Sequence, residues 1–256
     1  MPEQFSQAEQ DIVLPLLIKG FQDAAADAGV HTNVIGNISI NPWCIIGGTA
    51  SSICINSEMI SPNAAKAGDL LVLTKPLGTQ LATNAYIWLQ DNAPQWQKLQ
   101  HHFTVDQITY TYQSAIASMI ALNRTAAQLM HKYKAHAATD ITGFGLIGHT
   151  TNLAKFQYDS LLFKISILPV IKNVTQMSRV LGMDKLFQGK AVETSGGLLI
   201  AMDATVVELF LQDFHSNTGK NAWIVGSIEA APERLAVCMK NLDIIDADEY
   251  RPSYLY

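Results

Sequence analysis

At 256 residues, with 48% hydrophobic and 15% charged side chains, the chain has globular rather than disordered composition and length for one large core or two modest ones. A formal net charge of −5 leaves no basic surplus to neutralise a phosphate backbone, which argues against nucleic acid or an anionic membrane as partner. No apolar run approaches the roughly 18–20 residues of a membrane helix. The polar, acidic start, Met1 to Gln10, is neither a secretory signal nor an Arg-rich transit peptide. Three cysteines, Cys44, Cys54 and Cys238, form no CxxC pair and no metal cluster, which reads as reduced, half-buried thiols in a cytoplasmic protein.

In chain order, Ile12, Leu16, Leu17, Phe21 and Ala24 fall on one stripe, predicting a helix over 8–28 that stops at Gly29. The Ile-, Ser- and Thr-rich stretch 37–54, broken by Pro42 and Gly47-Gly48, reads as strands joined by a tight turn. A composition shift over 61–68 is the expected domain boundary. Beyond it, 70–74 reads as a short buried strand and 80–89 as a helix, followed by a Pro94-bearing loop over 91–100. Helices are expected over 106–122, 125–133, 143–156 and 170–181, and strands over 161–167, 198–202, 223–228 and 235–239. Hairpin-like strands mixed with helix–strand alternation point to an α+β fold.

Residues 143–148, Gly-Phe-Gly-Leu-Ile-Gly, fit the dinucleotide fingerprint by letter. The approach through Thr139-Asp140-Ile141-Thr142 lacks the apolar strand that such a site needs. Asp140 has two readings: with Thr142 it caps the following helix, or its carboxylate is a Mg²⁺ ligand beside a glycine-rich turn that lets backbone approach a polyphosphate. Lys75 is an anion contact or a surface or capping lysine, His136 and His149 read as structural, and Gly196-Gly197 as a turn before the strand at Leu198.

The run His136 to His149 (HAATDITGFGLIGH) resembles the signature of selenophosphate synthetases (selenide, water dikinases). In the same order, Gly68 to Gln80 (GDLLVLTKPLGTQ), Leu122 to Ala127 (LNRTAA) and Glu193 to Leu199 (ETSGGLL) match that family. Asn41-Pro42-Trp43 points to its animal-type branch. The resemblance implies an aminoimidazole-ribonucleotide-synthetase-like two-domain fold and conversion of ATP, selenide and water to selenophosphate, AMP and phosphate. Residues 1–66 would be the remnant of the N-terminal ATP-binding and dimerisation domain, and 67–256 the complete C-terminal α+β domain. Asp140 would be the family's C-terminal metal ligand, with Mg²⁺ as cofactor.

The turn that contacts nucleotide across the dimer would fall on Ile35, Gly36, Asn37 and Ile38. Only Gly36 matches the Gly-Gly-(His/Gln)-(Thr/Ser) pattern. Asn37 offers a polar contact, while a β-branched residue at position 35 disfavours positive φ. The family's Cys or selenocysteine nucleophile, its lysine and its further aspartates are expected to lie upstream of Met1, leaving the chain inactive as it stands. The alternative is a non-catalytic paralogue that forms a homodimer, or a heterodimer with a full-length member, and regulates it. A purine-biosynthesis ligase or thiamine-phosphate kinase of the same superfamily fits the 136–149 and 193–199 motifs less well.

Overall fold

A computed structural model describes residues 2–32 and 39–248. Ile35, Gly36, Asn37 and Ile38, the expected nucleotide turn, lie outside the described residues. The chain separates into two compact units, Met1–Asn56 and Ser57–Tyr256.

The first unit is dominated by helix α1, Gln7–Ala28. Its start is set by a capping box: the Ser6 hydroxyl accepts from the Glu9 amide while the Glu9 carboxylate accepts from the Ser6 amide, satisfying two of the donors every helix leaves free. Gly29 ends it in the left-handed conformation, φ 68°, as the sequence predicts. The apolar stripe that predicted this helix is not covered: Ile12 and Leu16 are 64% and 62% exposed. The strands expected over 37–54 do not form in the described residues 39–54. Extended segments need a partner ladder to satisfy their amides and carbonyls, and here only an isolated bridge, Asn41 with Pro2, is made. Trp43, Ile45, Ile46 and Ile53 stay exposed. Cys44 and Cys54 are likewise exposed rather than half-buried, and Cys238 is partly buried.

The second unit is an α+β domain built on a six-stranded sheet of order β2-β4-β1-β5-β3-β6. Its strands are β1 (Asp69–Leu73), β2 (Ala137–Asp140), β3 (Leu161–Ile171), β4 (Leu198–Asp203), β5 (Trp223–Ala230) and β6 (Leu235–Ala247). All neighbours are antiparallel except β3 with β6. The helices are α2 (Thr79–Gln90), α3 (Pro94–Leu99), α4 (Val105–Ile120), α5 (Arg124–Lys132), α6 (Gly145–Lys155), α7 (Val174–Leu181) and α8 (Val207–Thr218).

The continuous apolar run of β1 follows from its central position. Leu71 and Leu73 join one cluster, with Phe163, Ile165 and Val225 of the sheet and Leu146 and Leu153 of α6. Val72 joins another on Ile200, Met202, Phe210 and Leu129. A strand buried on both faces has no polar alternation to show. A third cluster, Ala85, Trp96, Leu99, Phe103, Ile108 and Met177, packs α2, α3, α4 and α7 together.

Several expected elements change. The supposed loop 91–100 contains α3, where Pro94 occupies the first turn, a place that tolerates a missing amide. The helix expected from residue 170 begins at Val174, because β3 runs on to Ile171. One buried side chain ties the segment before β1 to α6. Gln157 donates to the carbonyls of Pro62 and Leu153, both at 2.6 Å, and accepts from the Ala65 amide at 2.9 Å. Gln157→Ala should cost about 2 kcal/mol by leaving these groups unmatched. Gln157→Met, apolar and of similar length, should do no better; a thermal melt in which methionine restores wild-type stability would show that packing, not hydrogen bonding, is at stake.

Candidate functional site

The sheet brings all four sequence motifs to one end. β1 and β2 both run antiparallel to β4, which lies between them, with Leu73 opposite Leu199 and Asp140 opposite Leu198. The carboxyl ends of β1 and β2 therefore meet the start of β4 and the 193–197 segment that precedes it.

Asp140 is the last residue of β2 and is exposed. Its carboxylate accepts from the Thr142 hydroxyl at 3.3 Å. Neither Asp140 nor Thr142 caps the helix that follows, as one reading of the sequence had it. Helix α6 has no side-chain cap; His149, from within it, instead holds the turn before it, its Nε2 accepting from the amides of Thr142, at 3.0 Å, and Phe144, at 3.4 Å. An Nε2 accepting two N–H groups places the ring proton on Nδ1. Asp140 is thus left facing solvent on a turn whose shape is held by another residue. Gly145, at φ 68°, completes the turn; a Cβ there would come within 2.7 Å of the Ala191 carbonyl and 2.8 Å of that of Gly189.

The 193–197 segment locks this turn to β1, α2 and α4. Glu193 is buried, and its carboxylate accepts from the Gly78 amide at 2.7 Å, the Thr79 amide at 2.9 Å and the Thr79 hydroxyl at 2.5 Å. Helix α2 has no side-chain cap of its own; Glu193 caps it from another part of the chain, where a carboxylate also meets the positive end of the helix dipole. The Glu193 amide donates to Thr142 O at 3.1 Å, and the Ile141 amide to Gly197 O at 2.9 Å.

Gly196 and Gly197 permit the close approach. A Cβ on Gly196 would sit 2.0 Å from the Ile141 carbonyl oxygen, and one on Gly197 would sit 2.5 Å from the Lys75 amide. Lys75 is buried, not a surface lysine. Its ammonium donates to the carbonyls of Ala121, where α4 ends, and Ser195, at 2.6 and 2.8 Å. Asn123 adds a bond from its side-chain amide to Gly196 O at 3.0 Å.

His136, which the sequence reads as structural, pairs with Asp69, which it left unassigned, at the opposite end of the sheet. His136 Nδ1 lies 2.9 Å from both oxygens of the buried Asp69, and its Nε2 lies 3.3 Å from Lys66 Nζ. The two partners stand far apart in the chain, and only the β1–β4–β2 register unites them.

Among the described residues, no group of three or more His, Cys, Asp or Glu side chains is placed to hold a metal ion. Magnesium needs only one or two protein carboxylates when phosphate oxygens complete its shell. Asp140 therefore fits as one ligand of a shared site and does not fit as an all-protein site with its neighbours here.

Burial governs the two ionisable groups of the frame in opposite directions. It pushes Glu193 from its ordinary 4.5 up to about 7, against the lowering effect of the bonds from Thr79 and Gly78. It pulls Lys75 from 10.5 down to about 8, helped by the like charge of Lys220. Between pH 4.5 and 7 the folded chain retains a proton on Glu193 that the unfolded chain has lost, so this group's contribution to stability falls as pH rises. Between pH 8 and 10.5 the unfolded chain holds the extra proton, on Lys75, so stability rises with pH. Each limb is on the order of 3 kcal/mol. Melting curves against pH should show Glu193→Gln flattening the acid limb and Lys75→Met flattening the alkaline limb, relative to wild type; parallel curves for variant and wild type would contradict the assignment.

Comparison with known proteins fits this geometry. Residues 66–237 match the family AIR synthase related protein, C-terminal domain. The chain is 44% identical over 247 residues to Selenide, water dikinase 2 of Drosophila melanogaster, covering 94% of this chain and 67% of that one. With Selenide, water dikinase 2 of Mus musculus it shares 46% over 230 residues, 89% of this chain but only 50% of that protein. The chain thus spans about half to two thirds of these relatives. Among solved structures, the E. coli hydrogenase maturation protein HypE superposes with a TM-score of 0.52 at 19% identity, over 76% of this chain and 53% of that one, a likeness of fold. With its four motifs gathered at one end of such a domain, the chain belongs to the selenide, water dikinase (selenophosphate synthetase) family.

Proposed function

We propose that the second unit serves the family's phosphoryl chemistry, in which ATP, selenide and water give selenophosphate, AMP and phosphate, by presenting Asp140 as one magnesium ligand to the polyphosphate. The observation that supports this reading is the state of Asp140: a carboxylate at a strand end, solvent-facing and making no helix cap, on a turn that His149 holds by its backbone amides. Bound magnesium would neutralise charge on phosphoryl oxygens. The chain's own contribution is to hold that carboxylate at a fixed place, with Thr142 as its hydrogen-bond partner and Gly143 open on its Cβ side.

One carboxylate does not balance a polyphosphate and its cations. The remaining acidic ligands and the nucleophile come from outside the described residues, and the 256-residue chain on its own is inactive in this reading.

A second reading is favoured by the first unit. Ile12, Leu16 and Phe21 on α1, together with Trp43, Ile45, Ile46 and Ile53, are exposed, and clustered exposed apolar side chains mark association surfaces. This exposure suits a chain that acts by associating, with a second copy or a full-length family member, rather than by catalysis.

AMP formation from ATP and selenide by the purified chain is the first test: none above background is expected, and clear turnover would refute the inactivity. Calorimetry with MgATP is the second. Binding weakened at least tenfold by Asp140→Asn supports the metal-ligand role. Absence of MgATP binding, with stable association to a full-length relative in sedimentation, supports the second reading instead.

A further inference from the structure

The Asp140 turn makes few contacts of its own that would hold it. β2 is only four residues long and is an edge strand, paired with β4 alone. After it, Ile141 and Thr142 are tied on one side to His149 and on the other to the 193–197 segment, through Ile141 N–H to Gly197 O and Glu193 N–H to Thr142 O. The 193–197 segment contains no regular secondary structure. What anchors it is side-chain chemistry.

Glu193 is the strongest of these anchors. Its carboxylate takes three donors from two consecutive residues at the start of α2, and the Thr79 hydroxyl that donates to it also accepts from the Thr194 amide at 3.1 Å. Ser195, at φ 49°, donates its hydroxyl to Met119 O at 2.7 Å, and its carbonyl receives Lys75. A twelve-residue helix packed in a hydrophobic cluster is a rigid support. Glu193 joins that support to the Asp140 turn: the carboxylate holds α2 and the backbone amide of the same residue holds Thr142 O.

We infer that Glu193 is a positioning residue for Asp140, transmitting the fixed position of the α2 N-terminus through its own backbone to the turn that presents the metal-binding carboxylate. The inference rests on the proposed role of Asp140 as a ligand for a magnesium–polyphosphate. Glu193 itself touches no ligand; it acts through Thr142.

A glutamine at 193 keeps the size of the side chain but offers only one accepting oxygen to the two backbone amides, so one amide of Gly78 or Thr79 loses its partner and the link slackens. Aspartate keeps the charge but is one methylene shorter. Thr79→Val removes the hydroxyl that both gives to Glu193 and receives from Thr194.

The experiment measures two things on the full chain: amide hydrogen exchange by residue, and affinity for the magnesium complex of a non-hydrolysable ATP analogue. Wild type, Glu193→Gln, Thr79→Val and Gln157→Ala are compared at a temperature where all are folded. Gln157→Ala is the control, destabilised at the far end of α6 without touching the network. The expected result is exchange at the amides of Ile141 and Gly145 at least tenfold faster in Glu193→Gln and Thr79→Val than in the control, with ligand affinity reduced about tenfold in those two variants only.

Exchange at 141–145 that rises no more in Glu193→Gln than in the control would overturn the inference, whether or not ligand binds. Faster exchange confined to the two network variants, in a protein that binds no nucleotide even as wild type, would uphold the mechanical link while overturning the ligand reading of Asp140. If Glu193→Gln does not fold, Thr79→Val decides by the same two measurements.

Discussion

A buried carboxylate with no cationic partner is expensive unless hydrogen bonds replace the water it loses. Glu193 meets that cost with the first amides of α2 and the Thr79 hydroxyl. The arrangement dictates much of what surrounds it. Helix α2 needs no local cap, so a glycine, at φ 106°, stands in the N-cap position. The following residues must pass against β1 and Ile141 with no room for a side chain, so they are Gly196 and Gly197. Lys75, buried beside them, satisfies the carbonyls left by the end of α4 and by Ser195. These features, spread over more than a hundred residues of sequence, form one frame around a single exposed aspartate.

That frame explains why four separate stretches of sequence carry the family resemblance. The 68–80 motif supplies Lys75 and the α2 start; 122–127 supplies Asn123, which reaches Gly196 O; 136–149 supplies Asp140 and its strut His149; and 193–199 supplies the segment that ties them together. Each motif ends in, or contains, a turn residue that takes part in the shared hydrogen bonds.

How much of this was legible follows residue by residue. The α1 helix and its stop at Gly29 were readable because periodicity and capping are local. The strand at 70–74 was readable because an apolar run between turn residues has few alternatives. β2 was not, since Ala-Ala-Thr-Asp carries almost no strand propensity and pairs only because β4 offers an edge. The 39–54 stretch misled in the opposite sense: its Ile and Thr content suits a strand, but propensity does not supply a neighbouring ladder. β6 continues past Met239 to Ala247 because, as an edge strand, it tolerates Lys240, Asn241 and Asp243 on its exposed side. Asp140 stood out from sequence, yet the helix-cap role offered for it is filled by no side chain, and the turn is held by His149 instead. Glu193, Lys75 and the Asp69–His136 pair draw their meaning from residues distant in the chain, and one-dimensional spacing contains no sign of that.

The account turns on where a metal–phosphate ligand meets this domain. Paramagnetic broadening answers that directly: the isotopically labelled chain is titrated with the Mn²⁺ complex of a non-hydrolysable ATP analogue, and amide signals are followed residue by residue. The frame predicts that the earliest losses fall on Thr139 to Gly145, with Gly78, Thr79 and the 193–197 segment next. Broadening centred at the opposite end of the sheet, around Asp69, His136 and Asp203, or losses unchanged by Asp140→Asn, would contradict it.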